Sequence, residues 1–259
     1  MHAWQVVFSA PKHGNDPWEW EDGAAAVPGD PATGRGPRFA VADGATEGFG
    51  SARWAMRLVE GFVAGDVELT ERSLLGWAGR AQDAWRHDPV LSRASGLELF
   101  KVDSVGSLAT FLGCELVDLG GQRPRWRAVA LGDTVLFHVR GDRLVTQFPD
   151  IPADGFGTNP AGVPTAPAAL PGALGGVEFA EGDLAAGDLL YLATDAFAQW
   201  MVRRDGPALW SALAGLDHPE RFRDLVDDRR AAREMTNDDV TLMRVSVASR
   251  LPDQLVVVV

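Results

Sequence analysis

The chain has 259 residues, of which 46% are hydrophobic, so it is long enough for one large globular domain with a sizeable core. Its 36 acidic and 24 basic side chains leave a formal net charge of −12, which argues against a nucleic-acid interface and against attraction to an anionic membrane. Cys114 is the only cysteine, which excludes an internal disulfide, and its apolar surroundings predict a buried core residue.

The first part of the chain predicts short strands separated by loops rich in breaker residues. Residues 4–10 and 23–27 have the composition of strands, and the Gly/Pro-rich stretch 28–37 predicts a hairpin loop between the second strand and a third that runs into Asp43. From Ser51 the apolar spacing changes to a helical period. It predicts one helix beginning at Ser51 and another over residues 70–87, each with an apolar stripe facing the core.

The middle of the chain predicts an antiparallel meander. Four consecutive strand-like segments lie between residues 104 and 147, separated by the pairs Gly120-Gly121, Gly132-Asp133 and Gly141-Asp142. Residues 151–176 carry five prolines and six glycines and show no period. A loop of this length without secondary structure is usually functional or mobile, so this segment predicts a surface flap.

The last part of the chain returns to strands and helices. Residues 177–184 and 188–194 predict strands, the second ending at Asp195, and helical patterns follow at about 196–202, 207–216 and 219–235. A final strand is predicted over residues 240–247, directly after Asn237-Asp238-Asp239. We therefore expect a single domain over residues 1–248 and a tail at 249–259, which adds an edge strand or stays disordered.

Carboxylates recur at the ends of the predicted strands. Asp43 and Asp195 each end an apolar strand, Asp238 precedes one, and Glu21-Asp22 opens another. A single Asp-Gly pair after a strand is most often only a turn. In an antiparallel sandwich, however, these strand ends can converge, and crowded carboxylates repel one another unless a counter-charge is present. Two hard divalent cations would supply that charge, activate a water and clamp a phosphoryl group.

The order of these segments resembles a known family. An acidic pair followed by a strand, then FAVADGATE, GSLATFLGCEL, ALGDTVLFHVRGDRLV, DLLYLATDAF and NDDVTLMRV, is similar to the type 2C metal-dependent protein serine/threonine phosphatases of the bacterial type. The resemblance covers about residues 4–247. It implies an α+β fold, a four-layer α-β-β-α sandwich of two antiparallel sheets flanked by helices, which agrees with the elements predicted above.

The resemblance also implies roles for particular residues. Asp43 corresponds to the carboxylate that bridges two metal ions, and the Gly44 carbonyl to a ligand of the second. Asp195 and Asp238 correspond to ligands of the first metal. These three aspartates would be the catalytic residues, acting through two Mn²⁺ or Mg²⁺ ions and a metal-bridging hydroxide that attacks the phosphoryl group in line.

Three further acidic residues are implied with less definite roles. Glu21 and Asp22 correspond to a pair near the second metal and its waters, and which of the two is the direct ligand stays open. Asp133 corresponds to a residue of a weaker third metal site in bacterial members. A simple Gly-Asp hairpin turn is an equal alternative for Asp133.

The sequence departs from the family pattern at the phosphate anchor. No arginine lies just before Glu21-Asp22, where many members hold the substrate phosphate, so Lys12 or His13 is the candidate phosphate-binding residue. The usual glycine after Asp195 is Ala196, and the usual asparagine after Asp238 is Asp239, which adds a negative charge. The five histidines lack ligand spacing, and His138 within a strand predicts a hydrogen-bonded structural side chain.

The sequence therefore predicts a phosphatase for phosphoserine and phosphothreonine on proteins. Expected partners are phosphorylated proteins, such as a serine/threonine kinase or its targets, with no nucleic acid and no membrane. The start of the chain lacks a signal-peptide pattern and no apolar stretch is long enough to span a bilayer, so we expect a cytoplasmic protein. The alternatives are a catalytically weak regulatory or binding module and a phosphatase for small phosphorylated molecules.

Overall fold

The computed structural model describes residues 1–16, 19–30, 32–45, 49–96, 106–157 and 160–251. Along them run twelve strands: β1 (His2–Ala10), β2 (Asp22–Val27), β3 (Arg38–Asp43), β4 (Leu108–Ala109), β5 (Phe111–Val117), β6 (Arg125–Leu131), β7 (Val135–Arg140), β8 (Arg143–Phe148), β9 (Val163–Pro164), β10 (Glu178–Asp183), β11 (Leu189–Ala193) and β12 (Val240–Ala248). The helices are α1 (Ser51–Ala64), α2 (Glu71–Trp85), α3 (Leu170–Leu174), α4 (Asp195–Arg204), α5 (Pro207–Ala214) and α6 (Pro219–Ala231), with two short 3₁₀ turns at Leu91–Arg93 and Pro167–Ala169.

The strands form two five-stranded antiparallel sheets and one small two-stranded sheet. The first sheet has the order β1-β12-β11-β7-β8, the second has the order β10-β6-β5-β3-β2, and β4 pairs with β9. Strands that are far apart in sequence, such as β1 and β12, lie side by side along their whole length. Residues from the beginning, middle and end of the chain thereby meet at common sheet edges.

Three hydrophobic cores separate four layers. Alternate residues of a strand face opposite sides of its sheet. In β3, Phe39 and Val41 pack into the core between the sheets, whereas Ala40 and Ala42 pack against α1 and α2. A third core joins the outer face of the first sheet to α4, α5 and α6. The layers are therefore helix, sheet, sheet and helix, and the fold class predicted from the sequence is confirmed.

The predicted meander is wrong at one turn. β5 pairs with β6 in the second sheet and β7 pairs with β8 in the first, so the chain crosses between the sheets at Gly132-Asp133. The alternating pattern identifies strands, but it does not specify which strand each one pairs with. The pair Gly141-Asp142 is a true two-residue hairpin, with φ of 56° and 58°. Positive φ at both positions matches a type I′ turn.

Residues 151–176 are not the structureless flap that the sequence predicts. They contain β9, a 3₁₀ turn and α3, and Val163 and Leu170 are buried. Trp54 Nε1 donates to the Val163 carbonyl at 2.7 Å, and Gln82 Nε2 donates to the Pro164 carbonyl at 2.8 Å. Polar side chains of α1 and α2 thus fix this segment against the second sheet, a tertiary interaction that the local sequence does not reveal.

Little of the predicted C-terminal tail can be compared with the structure. Residues 252–259, which make up most of the predicted tail, lie outside the described residues. The division into a domain over residues 1–248 and a tail stays a prediction. None of the helices that the structure describes is both long and apolar enough to cross a membrane.

Candidate active site

The predicted carboxylates meet at one edge of the sandwich. Asp22 begins β2 and Asp43 ends β3, and the two residues are directly opposite each other in the antiparallel pair. Neighbours of this kind project from the same face of a sheet. Asp195 follows β11 in the first sheet, Asp238 precedes β12, and Asp133 lies at the crossover between β6 and β7. Both sheets therefore contribute carboxylates to the same edge.

Asp22 is buried between the two sheets and is only 1% exposed. Its Oδ2 accepts hydrogen bonds from Thr194 Oγ1 at 3.1 Å and Thr241 Oγ1 at 2.7 Å, both from the first sheet, while its Oδ1 has no partner. Burial raises the pKa of Asp22 to about 8, and the charges of Asp239 and Asp195 add to the rise although the two threonines oppose it. The net effect disfavours the ionised form of this carboxyl group.

Asp43 lies at the electrostatic centre of the group. Burial raises its pKa well above the usual range, and four neighbouring carboxylates raise it further: Asp22, Asp195, Asp238 and Asp133. The Asp43 backbone is fixed on both sides by Thr110, whose N–H donates to the Asp43 carbonyl at 2.9 Å and whose Oγ1 accepts from the Asp43 N–H at 3.1 Å. The Asp43 side chain is thus held close enough to these four carboxylates to be repelled by each of them.

Asp195 is the first residue of α4. The positive end of a helix dipole stabilises a carboxylate at this position. Burial and the charge of Asp238 nevertheless raise the pKa of Asp195 to about 6, against hydrogen bonds from the Ala196 N–H and the Asp43 carboxyl group and the charge of Lys12. The replacement of the family's glycine by Ala196 leaves this carboxylate at the same edge as Asp43.

Asp133 points inward and does not behave as a turn residue. It is 5% exposed, and neither of its carboxylate oxygens has a hydrogen-bond partner in the described structure. Burial raises its pKa to about 7, with a contribution from Asp195. Asp142, in the Gly-Asp pair between β7 and β8, is exposed at a hairpin turn. Of the two alternatives open from the sequence, the geometry favours a member of the acidic cluster.

Gly44 and Glu21 are packed together beside Asp43. A Cβ on Gly44 would lie 2.7 Å from the Glu21 carbonyl oxygen and 2.8 Å from the Ser51 backbone, so only glycine fits. Ser51 Oγ, at the start of α1, donates to Glu21 Oε1 at 2.5 Å. Glu21 and Asp22 both lie at the acidic edge, and which of them would contact a metal directly stays open.

Lys12 is the cation of this edge. Its ammonium lies 2.9 Å from Asp238 Oδ1. Burial lowers the pKa of Lys12, but the hydrogen bond and charge of Asp238, together with the charges of Asp239 and Glu21, more than compensate, and the net pKa is raised. The other candidate, His13, is exposed and uses its backbone to bind the side chain of Asn237.

These groups line a cleft of about 730 Å³. Lys12, Asp43, Asp195 and Asp238 form its charged side. The opposite wall is largely apolar and comes from the segments around β4 and β9, including Leu108, Phe156, Pro160, Pro164, Ala166 and Ala169. The cleft therefore combines a charged side with a largely apolar wall.

The donor set fits a hard divalent cation, although the side chains do not form a closed ligand group. Within the ranges that the structure describes, no three Asp, Glu, His or Cys side chains come close enough together to enclose a metal ion. Three buried carboxylate oxygens nevertheless lack partners, Asp22 Oδ1 and both oxygens of Asp133. Oxygen ligands and an uncompensated negative charge suit Mg²⁺ or Mn²⁺.

Comparisons with known proteins connect this geometry to a fold. No protein-family model matches the chain, and no curated protein matches it in sequence. Solved structures do match over almost the whole chain. A bacterial serine phosphatase has a TM-score of 0.62 at 11% identity, covering 96% of this chain and all of the other. The serine/threonine phosphatase PstP/Ppp of Mycobacterium tuberculosis has a TM-score of 0.59 at 15% identity, with coverage of 96% and 100%.

A third match is the catalytic domain of the phosphatase PstP in complex with two manganese ions, with a TM-score of 0.59 at 15% identity and coverage of 95% and 99%. The chain has the type 2C phosphatase fold. The resemblance inferred from the sequence is confirmed at the level of the fold. In this type 2C fold the cleft lies at the sheet edge where Asp43, Asp195 and Asp238 converge.

One residue of the site was not anticipated from the sequence. Asp239 is 5% exposed, and its two carboxylate oxygens accept the Lys12 and Glu21 N–H groups, each at 2.7 Å. The only sequence signal was the departure from the family's asparagine at this position. From the sequence, Asp239 was interpreted only as an added negative charge. Its hydrogen bonds to the loop between β1 and β2 were not predicted.

Proposed function

We propose that the chain is a metal-dependent phosphatase that hydrolyses phosphoserine and phosphothreonine on proteins, in the cytoplasm, with a serine/threonine kinase or its targets among the substrates. The observation that carries this proposal is the convergence of Asp43, Asp195 and Asp238 in a single cleft of a type 2C phosphatase fold. A carboxylate cluster whose members raise one another's pKa is typical of a binding site for positive charge.

The acidic residues would hold two divalent cations, Mn²⁺ or Mg²⁺. Asp43, at the centre of the cluster, suits a bridging position; Asp195 and Asp238 suit one ion, and the Gly44 carbonyl with Glu21 or Asp22 suits the other. Asp133 suits a weaker third site, since both of its oxygens are buried without partners. Bound cations would activate a water for attack and neutralise the phosphoryl oxygens. Deprotonation of carboxyls with raised pKa values makes metal binding pH-dependent.

Lys12 is the residue that we propose for holding the substrate phosphate. It lines the cleft next to Asp238, whereas His13 is exposed and is absent from the cleft lining. A lysine binds phosphate as a point charge and lacks the two-pronged geometry of arginine. The apolar wall that includes Phe156, Pro160, Pro164, Ala166 and Ala169 favours a peptide over a small, highly charged phosphoester.

The test is hydrolysis of a phosphothreonine peptide with Mn²⁺, with chelator, and by the variants Asp43→Asn and Asp195→Asn. We expect metal-dependent turnover that falls by at least about 100-fold in each variant, since removal of one ligand costs several kcal/mol of transition-state stabilisation. Asp142→Asn is the matched control because it removes one carboxylate charge from the exposed Gly141-Asp142 turn. Its turnover should equal that of the wild type.

Other outcomes would select the alternatives. A folded protein that binds Mn²⁺ but hydrolyses neither phosphopeptides nor small phosphoesters would be a regulatory or binding module. Faster turnover of small phosphoesters than of the peptide would reassign the substrate class. Activity that survives chelation or Asp43→Asn would overturn the two-metal proposal.

A further inference from the structure

The loop that carries Lys12 is tied to the segment just before β12. Asp239 accepts the N–H groups of Lys12 and Glu21, at the two ends of the loop, with both distances 2.7 Å. Asn237 Oδ1 accepts the His13 N–H at 2.7 Å, and Asn237 Nδ2 donates to the His13 carbonyl at 3.2 Å. Two residues of one turn thus bind a loop more than 200 positions away in sequence.

Arg230 fastens the same loop from α6. Its Nη1 donates to the Pro11 carbonyl at 2.9 Å, and its Nη2 donates to the Asp238 carbonyl. One guanidinium therefore bridges the residue before Lys12 and the residue whose carboxylate pairs with Lys12. We call Arg230, Asn237 and Asp239 the loop clamp.

We propose that Asp239 is a positioning residue, which through the loop clamp holds the Lys12 ammonium at the phosphoryl-binding part of the cleft. The inference rests on the proposed function and adds a residue that does not itself contact substrate. Asp239 contributes two clamp contacts, one near each end of the loop, and its side chain is nearly inaccessible.

The chemistry of lysine explains why a clamp is needed. A lysine ammonium is a single charge on a flexible four-carbon stem, so it loses more conformational freedom per contact than an arginine fork. Fixing its backbone removes part of that loss before the substrate arrives. An aspartate can accept two backbone N–H groups with its two oxygens. An asparagine, the residue expected here from the family resemblance, can accept only one and would direct its amide hydrogens at the other N–H.

The composition of the chain makes this inference testable. Lys12 and Lys101 are its only lysines, while 22 residues are arginines. Selective ¹³C labelling at the lysine Cε therefore gives two NMR signals, one for each lysine, and the signal that disappears in Lys101→Arg is that of Lys101. Titration with inorganic phosphate in the presence of Mg²⁺, which is diamagnetic, then reports phosphate binding at Lys12 without any turnover.

We expect inorganic phosphate to shift the Lys12 signal in the wild type and to bind Asp239→Asn about tenfold more weakly, which corresponds to about 1.4 kcal/mol. Asp142→Asn, which removes the same charge from an exposed turn, should bind as the wild type does. A Lys12 signal that does not respond to phosphate, or an Asp239→Asn affinity within twofold of the wild type, would overturn the inference.

A double-mutant cycle tests whether Asp239 acts through Lys12. Asp239→Asn should raise KM for the phosphopeptide about tenfold in the wild type and leave KM unchanged in a Lys12→Ala background, because the clamp then has no ammonium to hold. Equal effects in both backgrounds would contradict the proposal. If the wild type turns over no phosphoester at all, the proposed function fails, and the phosphate titration still decides whether the loop clamp positions Lys12.

Discussion

The antiparallel pair of strands β7 and β11 has acidic groups near each of its two ends, and the two ends are in opposite electrostatic states. At the cleft end, Asp133 precedes β7 and Asp195 follows β11, and both carboxyl groups have raised pKa values. At the far end, Asp188 precedes β11 and Arg140 closes β7, with His138 between the sheets. There the pKa of the carboxyl group is lowered.

The far end is fully neutralised. The Asp188 carboxylate accepts from Arg140 Nε and Nη2, both at 2.7 Å, from the Ala185 N–H at 2.8 Å and from His138 Nε2 at 2.9 Å. Trp126 Nε1 donates to His138 Nδ1 at 3.2 Å, which leaves the ring proton on Nε2. Burial acts to raise the pKa of Asp188, but these hydrogen bonds outweigh it. The prediction that His138 is a hydrogen-bonded structural side chain agrees with this network.

The difference teaches that burial of a charge does not by itself mark a binding site. Asp188 is less exposed than Asp133, with 0% against 5%, yet every oxygen of Asp188 has a donor, and among the described residues neither oxygen of Asp133 has one. Removal of one partner from a fully paired buried charge is strongly destabilising, whereas a buried charge without partners costs free energy in the folded protein and is available to a cation.

The largest effect should come from breaking the neutralised end. Asp188→Ala leaves Arg140 and the buried His138 without their acceptor, so we expect the free energy of unfolding to fall by about 3–5 kcal/mol. Urea denaturation measures it, with Asp142→Asn at the exposed turn as the control, because asparagine tolerates the positive φ of that position. A loss below about 1 kcal/mol would show that the Asp188 network contributes little and would remove the contrast between the two ends.

At the cleft end, removal of a carboxylate should raise the free energy of unfolding instead of lowering it. Asp133→Asn removes a buried charge that has no partner, and at pH 8, above the pKa of about 7, we expect the chelator-treated protein to gain about 2 kcal/mol in unfolding free energy. The gain is smaller than the full pKa shift implies because the buried amide also lacks partners. Destabilisation in urea at pH 8 would mean that the Asp133 carboxylate has a stabilising partner.

The two ends should also give opposite pH dependences. Carboxyl groups with raised pKa values, Asp22 near 8, Asp133 near 7 and Asp195 near 6, bind protons that the unfolded chain has released. Their contribution to stability is complete below about pH 4 and is lost as the pH rises towards 8, by about 1.4 kcal/mol per pH unit for each extra bound proton.

The far end works in the other direction. Burial lowers the pKa of His138 in spite of the neighbouring Asp188. Below about pH 6.5 the unfolded chain therefore binds a proton on this histidine that the folded protein does not bind. The free energy of unfolding falls with acidification as a result. Unfolding between pH 5 and 8.5 with chelator should show a decline above pH 6.5 that Asp133→Asn reduces. Stability that rises steadily to pH 8.5 would contradict the raised pKa values of the cleft carboxyls.

The same contrast explains which features could be predicted from the sequence. Periodicity predicted α1, α2 and most strands because each buries one face, and the order of the acidic motifs predicted the fold and the carboxylates of the edge. The two Gly-Asp pairs, by contrast, look alike in sequence. Gly141-Asp142 is an exposed hairpin, and Gly132-Asp133 crosses between sheets with a buried side chain. Strand partners decide which is which, and no local pattern encodes them.

The polar groups that organise the site were equally invisible. Asp239, Thr194 and Thr241 act through hydrogen bonds to residues that lie more than 40 positions away in the sequence. Asp239 was interpreted only as an added charge, and the wall of the cleft at residues 151–176 as a loop without structure. In both cases long-range hydrogen bonds, from Trp54 and Gln82 for the wall, determine the conformation.

The smallest effect concerns Asp22, whose carboxyl group accepts hydrogen bonds from two threonine hydroxyls. Thr241→Val removes the 2.7 Å hydrogen bond to Asp22 Oδ2 while keeping the side-chain shape. Because this bond favours the ionised form, its loss raises the pKa of Asp22 further, so we expect destabilisation of about 1 kcal/mol at pH 6 that grows as the pH passes 8. Thr134→Val, which breaks the neutral 2.6 Å contact with Thr110 Oγ1, is the matched control and should show no such growth. A cost for Thr241→Val that is constant from pH 6 to 9 would mean that Asp22 does not titrate in this range, which would contradict its pKa of about 8.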